Sequence, residues 1–274
     1  MKDKPVAFVT GASGGIGYAT ALAFARTGYD LAILDTETEG LERLQVDIRA
    51  AGSRALSWHV DLTDLPGSEA AVLQTVQQWG RIDVLVNNAA WREVASMKTI
   101  GIESWQRTLQ VCLTAPAFLS RWVAEAMART GGGVIVNVSS IMATRAGGVS
   151  PAYVAAKGGL DSLTYELATL YGPSGIRVLA VSPGAVDTKA GTDYADPQGQ
   201  SLAKELNTWC QDQIPLGRQA MPEEVARLIV AMAGPDAAYV TGTKVVVDGG
   251  WLHTHFPRSI RKKMQPDESR PDRG

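Results

Sequence analysis

A chain of 274 residues, 45% of them hydrophobic, is long enough to bury one sizeable core and too apolar for a disordered or fibrous protein. Its 26 basic and 28 acidic side chains leave a formal charge of −2, which offers no field for nucleic acid or an anionic membrane. Apolar runs as short as Val134-Ile135-Val136 argue against a membrane span, and two cysteines outside any CxxC spacing with three scattered histidines argue against a disulfide framework or a metal site.

Short β-type runs alternate with helical stretches, the pattern of a parallel sheet covered on both faces. The first strand is predicted at Val6–Thr10; it follows a brief Lys-rich start without a cleavage-type segment, so a cytoplasmic location is expected. A glycine-rich run, Thr10-Gly11-Ala12-Ser13-Gly14-Gly15-Ile16-Gly17, leads into a helix over Ile16–Thr27. Strands follow at Asp30–Asp35, Arg54–Val60, Ile82–Asn87, Gly133–Ser139, Arg177–Ser182 and Lys244–Val247. Helices fall between them at Gly40–Ala51, Leu65–Gly80, Ile102–Thr130, Ala152–Tyr171 and Pro222–Ala233. The strands are apolar on both sides, as burial of both faces requires. Residues 183–215 break the rhythm with several Gly, Asp and Pro residues and are expected to form a mobile substrate lid with its own helix. A single catalytic domain over residues 1–252 is expected, followed by a polar tail over residues 253–274 that frays or reaches a neighbouring subunit.

Gly11, Gly15 and Gly17 stand where a strand turns into a helix. Glycine lets the backbone approach a pyrophosphate, and the helix N-terminus adds free N–H groups and a positive dipole. Ser13, Gly14 and Ile16 complete this loop. A glycine-rich run alone can be no more than a turn, but here the next strand ends on Asp35, 18 positions after Gly17. An acidic group there can accept both ribose hydroxyls of adenosine and repel the 2′-phosphate of NADP. No Lys or Arg at positions 13–15 or 36 counters it, so NAD is expected over NADP. The competing role for Asp35 is a solvated helix-capping carboxylate.

The chemistry is expected from Ser140, Tyr153 and Lys157. Tyr153 and Lys157, four apart on a predicted helix, share one face. A Lys ammonium beside a phenol favours the phenolate, which can take a proton from an alcohol or return it to a ketone while hydride moves to or from nicotinamide. Ser140 can hydrogen-bond the same oxygen. Tyr-x-x-x-Lys alone commonly marks a half-exposed helix face; joined to a strand-end Ser and a dinucleotide loop it reads as a hydride-transfer site.

With these residues the chain resembles the short-chain dehydrogenase/reductase family over about residues 5–250. The matching motifs are Thr10–Gly17, Asp61-Leu62, Asn87-Asn88-Ala89-Ala90, the Ser140/Tyr153/Lys157 set, Pro183-Gly184-Ala185-Val186-Asp187-Thr188 and Val247-Asp248-Gly249-Gly250. The resemblance implies a Rossmann-like, doubly wound sheet of seven strands with NAD(P) across the strand C-terminal ends. It implies that Tyr153 is the acid/base and that Lys157 also holds the nicotinamide ribose. Asp61 and Leu62 would flank adenine, Asn87 would contact the adenosine side, and Ala89 would be a further cofactor-binding residue. Val186 and Thr188 would hold the carboxamide of nicotinamide, and Pro183 and Gly184 would belong to the same cofactor site. It also implies a homotetramer or homodimer paired through the helices Ile102–Thr130 and Ala152–Tyr171. Two positions depart from the pattern. Ala90 replaces the usual Gly, a small change. Cys112 replaces an Asn that in the family anchors a water linking the Lys to solvent, so that relay is expected to be rerouted or slowed while hydride transfer survives. A nucleophilic role for Cys112 has no histidine near it in sequence to support it.

Three loops after strands are expected to shape the substrate pocket. The first carries Trp91, Arg92 and Glu93, the second Arg145 and Ser150, and the third Thr192, Asp193, Tyr194 and Trp209. Trp91, Arg92 and Arg145 are the substrate candidates beside Ser140 and Tyr153. Either arginine can hold an anion through paired N–H groups, or be a solvated loop arginine; Trp91 can floor the pocket or pack against the lid. The function expected is an NAD-dependent alcohol dehydrogenase or ketone reductase for a small polar compound: a sugar, polyol, sugar acid or hydroxy acid. The alternatives are a 3-oxoacyl-thioester (acyl-carrier-protein) reductase, which would want a basic collar, and a non-catalytic NAD-binding sensor or scaffold.

Overall fold

Alternate residues along the first strand, β1 (Val6–Thr10), point to opposite sides, and both sides are apolar. Val6 and Phe8 join one buried cluster; Ala7 and Val9 join the other. That pattern fixes a sheet covered on both faces. The computed structural model describes residues 4–188, 194–196 and 198–266. Among these, β2 (Asp30–Asp35), β3 (Ala55–His59), β4 (Val84–Asn87), β5 (Gly133–Val138), β6 (Ile176–Pro183) and β7 (Thr243–Val247) join β1 in one parallel sheet. The order is β3-β2-β1-β4-β5-β6-β7. The chain lays three strands in one direction, then returns to the far side of β1. Ligands of such sheets bind outside the strand C-termini where the order reverses, here between β1 and β4.

Helices α1 (Gly15–Arg26), α2 (Thr38–Ala50) and α8 (Pro222–Ala233) cover one face, through Phe24, Leu44, Ile48, Val225 and Ile229. Helices α3 (Leu65–Trp79), α5 (Ala115–Thr130) and α6 (Pro151–Tyr171) cover the other, through Val72, Leu119, Val123, Met127 and Leu167. Local sequence sets the helix ends. Asp64 caps α3 through a bond from the Gly67 N–H at 3.0 Å, and Gly80 closes it in the left-handed conformation at φ 76°. Glu37 accepts from the Gly40 N–H, which starts α2 at Thr38 rather than at the expected Gly40.

The helix expected over Ile102–Thr130 is interrupted. It runs as α4 (Ile102–Leu109), a π-turn over Gln110–Thr114, and then α5. The cause is Pro116, which has no N–H to give to the carbonyl four residues back, that of Cys112. The register slips, and Ala115 N–H donates to Gln110 instead.

The lid region carries the expected helix as α7 (Ala203–Gln213). The tail is more ordered than its polarity suggested. Past a short turn at Trp251–His253 it forms α9 (Arg258–Met264), packed on α7 of the same chain. Ser259 donates through N–H and hydroxyl to Asp212 on α7, both at 2.7 Å. Residues 267–274, where fraying was expected, lie outside the described residues. No helix among the described residues is long and apolar enough to cross a membrane.

Candidate active site

The groove at the switch point begins where β1 turns into α1. Gly11 has φ 65°, and a Cβ there would sit 2.7 Å from the Ala89 backbone. Only glycine lets this loop lie against the end of β4. Thr10 and Asn88 sew the two together: Thr10 Oγ1 accepts from the N–H groups of Asn88 and Ala89, each at 3.1 Å. Asn88 Nδ2 donates back to the carbonyls of Thr10 at 3.0 Å and Gly11 at 2.9 Å. Gly14, the residue before α1, faces open space, and the first turn has neither a side-chain cap nor an acidic residue. The uncapped N–H groups and the open approach fit a pyrophosphate.

Asp35 lies beside this loop at the end of β2. Its Oδ2 accepts from Ser13 N–H at 2.9 Å and its Oδ1 from Thr36 N–H at 2.7 Å, so the carboxylate is locked at the groove edge. His59, opposite Asp35 in the β2–β3 register, bonds the Thr36 carbonyl at 2.8 Å. On the Asp61 carboxyl, burial acts to raise the pKa, but hydrogen bonds from Thr63 and the Arg107 guanidinium at 2.8 Å outweigh it, and the carboxyl stays below the usual range. Arg107 also stacks on Trp91, 5.3 Å from its ring centre. Trp91 packs against the core and carries this arginine; no lid contact is seen for it among the described residues.

Two residues expected on the adenosine side have side chains that point into the core. Leu62 is buried in the core. The Asn87 amide is also inside, donating to Asn137 at 2.9 Å and Ser120 at 3.2 Å. Any contact either residue makes to a groove ligand is through its backbone. Gly184 likewise serves packing: a Cβ there would lie 2.7 Å from Asp248 Cβ, and its N–H bonds Val247. Thr188 does reach the groove, since a Cβ on Gly15 would meet its Cγ2 at 3.2 Å. Val186 bridges to Ala220 and packs against the core. Thr192 and Asp193 lie outside the described residues.

Ser140, two residues past β5, caps a short turn over Ile141–Ala143, accepting from Met142 N–H at 3.1 Å. Tyr153 and Lys157 stand one turn apart on α6. Lys157 is almost fully buried, donates to the Val138 carbonyl at 2.7 Å, and sits 5.5 Å from the Tyr153 ring centre. One turn further, Asp161 pairs with Lys244 of β7 at 2.9 Å, and Lys244 also bonds Thr144 at 3.0 Å. This partly buried link from helix to strand to the Ser140 turn was not foreseen; its members are 83 and 100 residues from Lys244 in sequence.

The two arginine candidates separate. Arg92 lies 5.8 Å from the Tyr153 ring centre and donates to the Tyr194 hydroxyl of the lid at 2.8 Å. Arg145 turns away to the C-terminal segment, bonding the Trp251 carbonyl at 2.6 Å and stacking 5.3 Å over its ring. Trp251 in turn meets Trp209 of α7 edge-on at 5.6 Å. The lid helix is thus held at Trp209 by Trp251 and at Asp212 by Ser259. Cys112 is fully buried in the π-turn; its sulfur accepts from Trp91 N–H at 3.4 Å and donates to the Trp91 carbonyl at 3.3 Å. It braces the backbone just before Arg92.

Comparison with known proteins follows the same outline. A family model described as enoyl-(acyl carrier protein) reductase matches residues 11–252. The chain is 38% identical to a cis-4-hydroxycyclohexanecarboxylate dehydrogenase of Sinomonas cyclohexanicum, over 90% of this chain and 96% of that one. It is 35% identical to a D-threitol dehydrogenase of Mycolicibacterium smegmatis, over 91% and 93%. Among solved structures it is similar to an acetoin dehydrogenase from Salmonella typhimurium, with a TM-score of 0.81, 30% identity and coverage of 92% and 97%.

Proposed function

The chain belongs to the short-chain dehydrogenase/reductase family, oxidoreductases that act on CH–OH groups with a nicotinamide cofactor, and from that premise we propose that it interconverts a small polar secondary alcohol and its ketone with NAD. The observation that carries this reading is the Tyr153–Lys157 pair on one helix face, with Lys157 tied to the end of β5, in a chain whose glycine loop lies against the end of β4.

A nicotinamide held in this groove would supply hydride to a ketone or accept it from an alcohol. Tyr153 gives or takes the proton at the substrate oxygen through its phenol. Ser140 donates a hydrogen bond to that oxygen and steadies it. Lys157, held by the Val138 carbonyl, stands beside the Tyr153 ring. In alcohol oxidation the C–H electrons leave as hydride and the O–H proton goes to Tyr153, so charge and atoms balance. The α1 N-terminus with Gly11, Ser13, Gly14, Gly15, Ile16 and Gly17 would hold the pyrophosphate, and Thr188 reaches the same loop. Asp61, Leu62, Asn87 and Ala89 would line the adenosine side, with Pro183, Gly184 and Val186 on the nicotinamide side. Asp35 favours NAD, because a 2′-phosphate beside its carboxylate would be repelled.

Substrates in the proposed range are sugars, polyols and their acids. The relatives named for D-threitol and cis-4-hydroxycyclohexanecarboxylate support compact polar alcohols. A second reading, reduction of carrier-bound 3-oxoacyl thioesters, draws on the family model's description and on the basic α9 residues Arg258, Arg261, Lys262 and Lys263. We place the catalytic unit at residues 1–252 and treat the rest as a tail that fastens the lid. An apolar hollow of about 550 Å³ between α5 and α6, lined by Leu113, Phe118 and Leu163, supports pairing of subunits through these helices. A screen of NAD reduction across sugars, polyols, sugar acids and hydroxy acids tests the reading. Turnover limited to acyl thioesters would favour the second, and NAD binding without any turnover would favour a sensor.

A further inference from the structure

We infer that Trp251 is a positioning residue for the reaction: its ring joins the turn that carries Ser140 to helix α7, part of the segment that reaches back toward Tyr153. This rests on the reading of Ser140 and Tyr153 as partners of one substrate oxygen and adds a residue that acts through them. Trp251 is presented by a locally built turn. Asp248 accepts from the N–H groups of Gly250 at 2.8 Å and Leu252 at 2.5 Å. Gly249 and Gly250 take φ 63° and 90°. A Cβ on Gly249 would lie 2.7 Å from Ile214 Cγ2, and one on Gly250 3.0 Å from Pro215 Cγ, so the turn lies directly against the residues that follow α7. Leu216 N–H bonds the Gly249 carbonyl at 3.2 Å and fastens the two together.

Two elements meet on Trp251. Arg145 donates to its carbonyl at 2.6 Å and stacks 5.3 Å over its ring. The Arg145 N–H bonds the Ile141 carbonyl at 2.7 Å, which closes the turn that Ser140 caps. From the other side Trp209 of α7 meets the ring edge-on at 5.6 Å. Trp251 Nε1 is buried without a hydrogen-bond partner, so the ring works by contact and not through its N–H. The start of α7 is tied back to Tyr194: Leu206 N–H bonds the Leu202 carbonyl at 3.0 Å, and Leu202 N–H bonds the Tyr194 carbonyl at 2.9 Å. The Tyr194 hydroxyl accepts from Arg92, whose guanidinium carbon lies 5.8 Å from the Tyr153 ring centre. One set of contacts thus runs from the Ser140 turn through Trp251 and α7 to the surroundings of Tyr153. Loosening it at Trp251 lets Ser140 and Tyr153 drift relative to each other, while the glycine loop after β1 is untouched.

The test compares parent, Trp251→Ala, Trp251→Phe and Asp212→Ala as full-length proteins, by hydrogen–deuterium exchange and by reduction of erythrulose and 4-oxocyclohexanecarboxylate with NADH. In Trp251→Ala, exchange should quicken about 3- to 10-fold both in α7 and in the Ile141–Arg145 turn. Its kcat/KM should fall about 10-fold, mostly in kcat, with NADH affinity unchanged. Trp251→Phe keeps an aromatic ring and should recover most of both. Asp212→Ala frees α7 from Ser259 alone, so exchange should quicken in α7 but not in the turn. Exchange in the turn that stays at the parent rate in Trp251→Ala, or that rises as much in Asp212→Ala, overturns the proposal, whether or not either ketone is turned over. A loss of kcat/KM matched by an equal loss of NADH affinity overturns it too. The redox reading fails separately, by turnover that survives Tyr153→Phe.

Discussion

Lys244→Met tests whether the partly buried link beneath the Ser140 turn is structural support for the site. Lys244 Nζ lies 2.9 Å from Asp161 Oδ2 and 3.0 Å from Thr144 Oγ1, with side chains 19% and 9% exposed in the ion pair. The other carboxylate oxygen of Asp161 is buried without a partner. Methionine keeps the bulk and removes the charge, leaving the carboxylate unpaired. Breaking a buried pair from one side costs about 3–5 kcal/mol, and the partial exposure of Lys244 puts this one near the lower end. For a chain of this size each kcal/mol moves the melting temperature by about 2–4 °C, so a fall of about 6–12 °C is expected. The double variant Lys244→Met with Asp161→Val removes both charges and should recover most of that loss. Thermal unfolding by circular dichroism of parent, single and double variants reads both effects. A shift in Lys244→Met too small to resolve, or a double variant no better than the single, would refute the reasoning.

Asp35→Ser combined with Thr36→Arg should shift preference toward NADP; an unchanged ratio of kcat/KM for the two cofactors would show that Asp35 does not read the ribose. Cys112→Val keeps the volume but strands the Trp91 N–H and carbonyl, so stability should fall by about 1–2 kcal/mol in chemical denaturation, with KM rising more than kcat falls. Cys112→Asn should leave an already competent enzyme competent, and an inactive parent restored by Asn would contradict that. The hydrogen-bonded Arg218 side chain, then the Met221 N–H, hold the Glu224 carboxyl down from 4.5 to about 2. A depressed pKa stabilises the fold above the unfolded value and loses that contribution as pH falls through the folded one. The melting difference between parent and Glu224→Gln should therefore be steady above about 4.5 and shrink toward about 2; a difference that does not change across that window would refute it.

Strands and covering helices were legible because each is encoded within its own few residues. Val6–Thr10 and Asp30–Asp35 are apolar on both sides, and β1 and β2 lie where those runs are. The glycine loop was legible for the same reason. The π-turn at Gln110–Thr114 was missed although its signal, Pro116 four residues after Cys112, lies in plain view; periodicity reads through a single slipped turn. What sequence could not give was pairing across long separations. Arg92 meets Tyr194 at a separation of 102 residues and Arg145 meets Trp251 at 106, and nothing local distinguishes one loop arginine from the other. Asn87 and Leu62 show the opposite limit: a motif marks the backbone position, while packing against Ser120, Asn137 and the core decides where the side chain goes.

The most direct measurement compares parent and Tyr153→Phe in NADH binding by fluorescence and in single-turnover reduction of the best ketone substrate. The account predicts near-normal binding with turnover reduced about 10²- to 10⁴-fold, the contribution of a positioned proton donor. Turnover that persists in Tyr153→Phe, with NADH still bound, would contradict it.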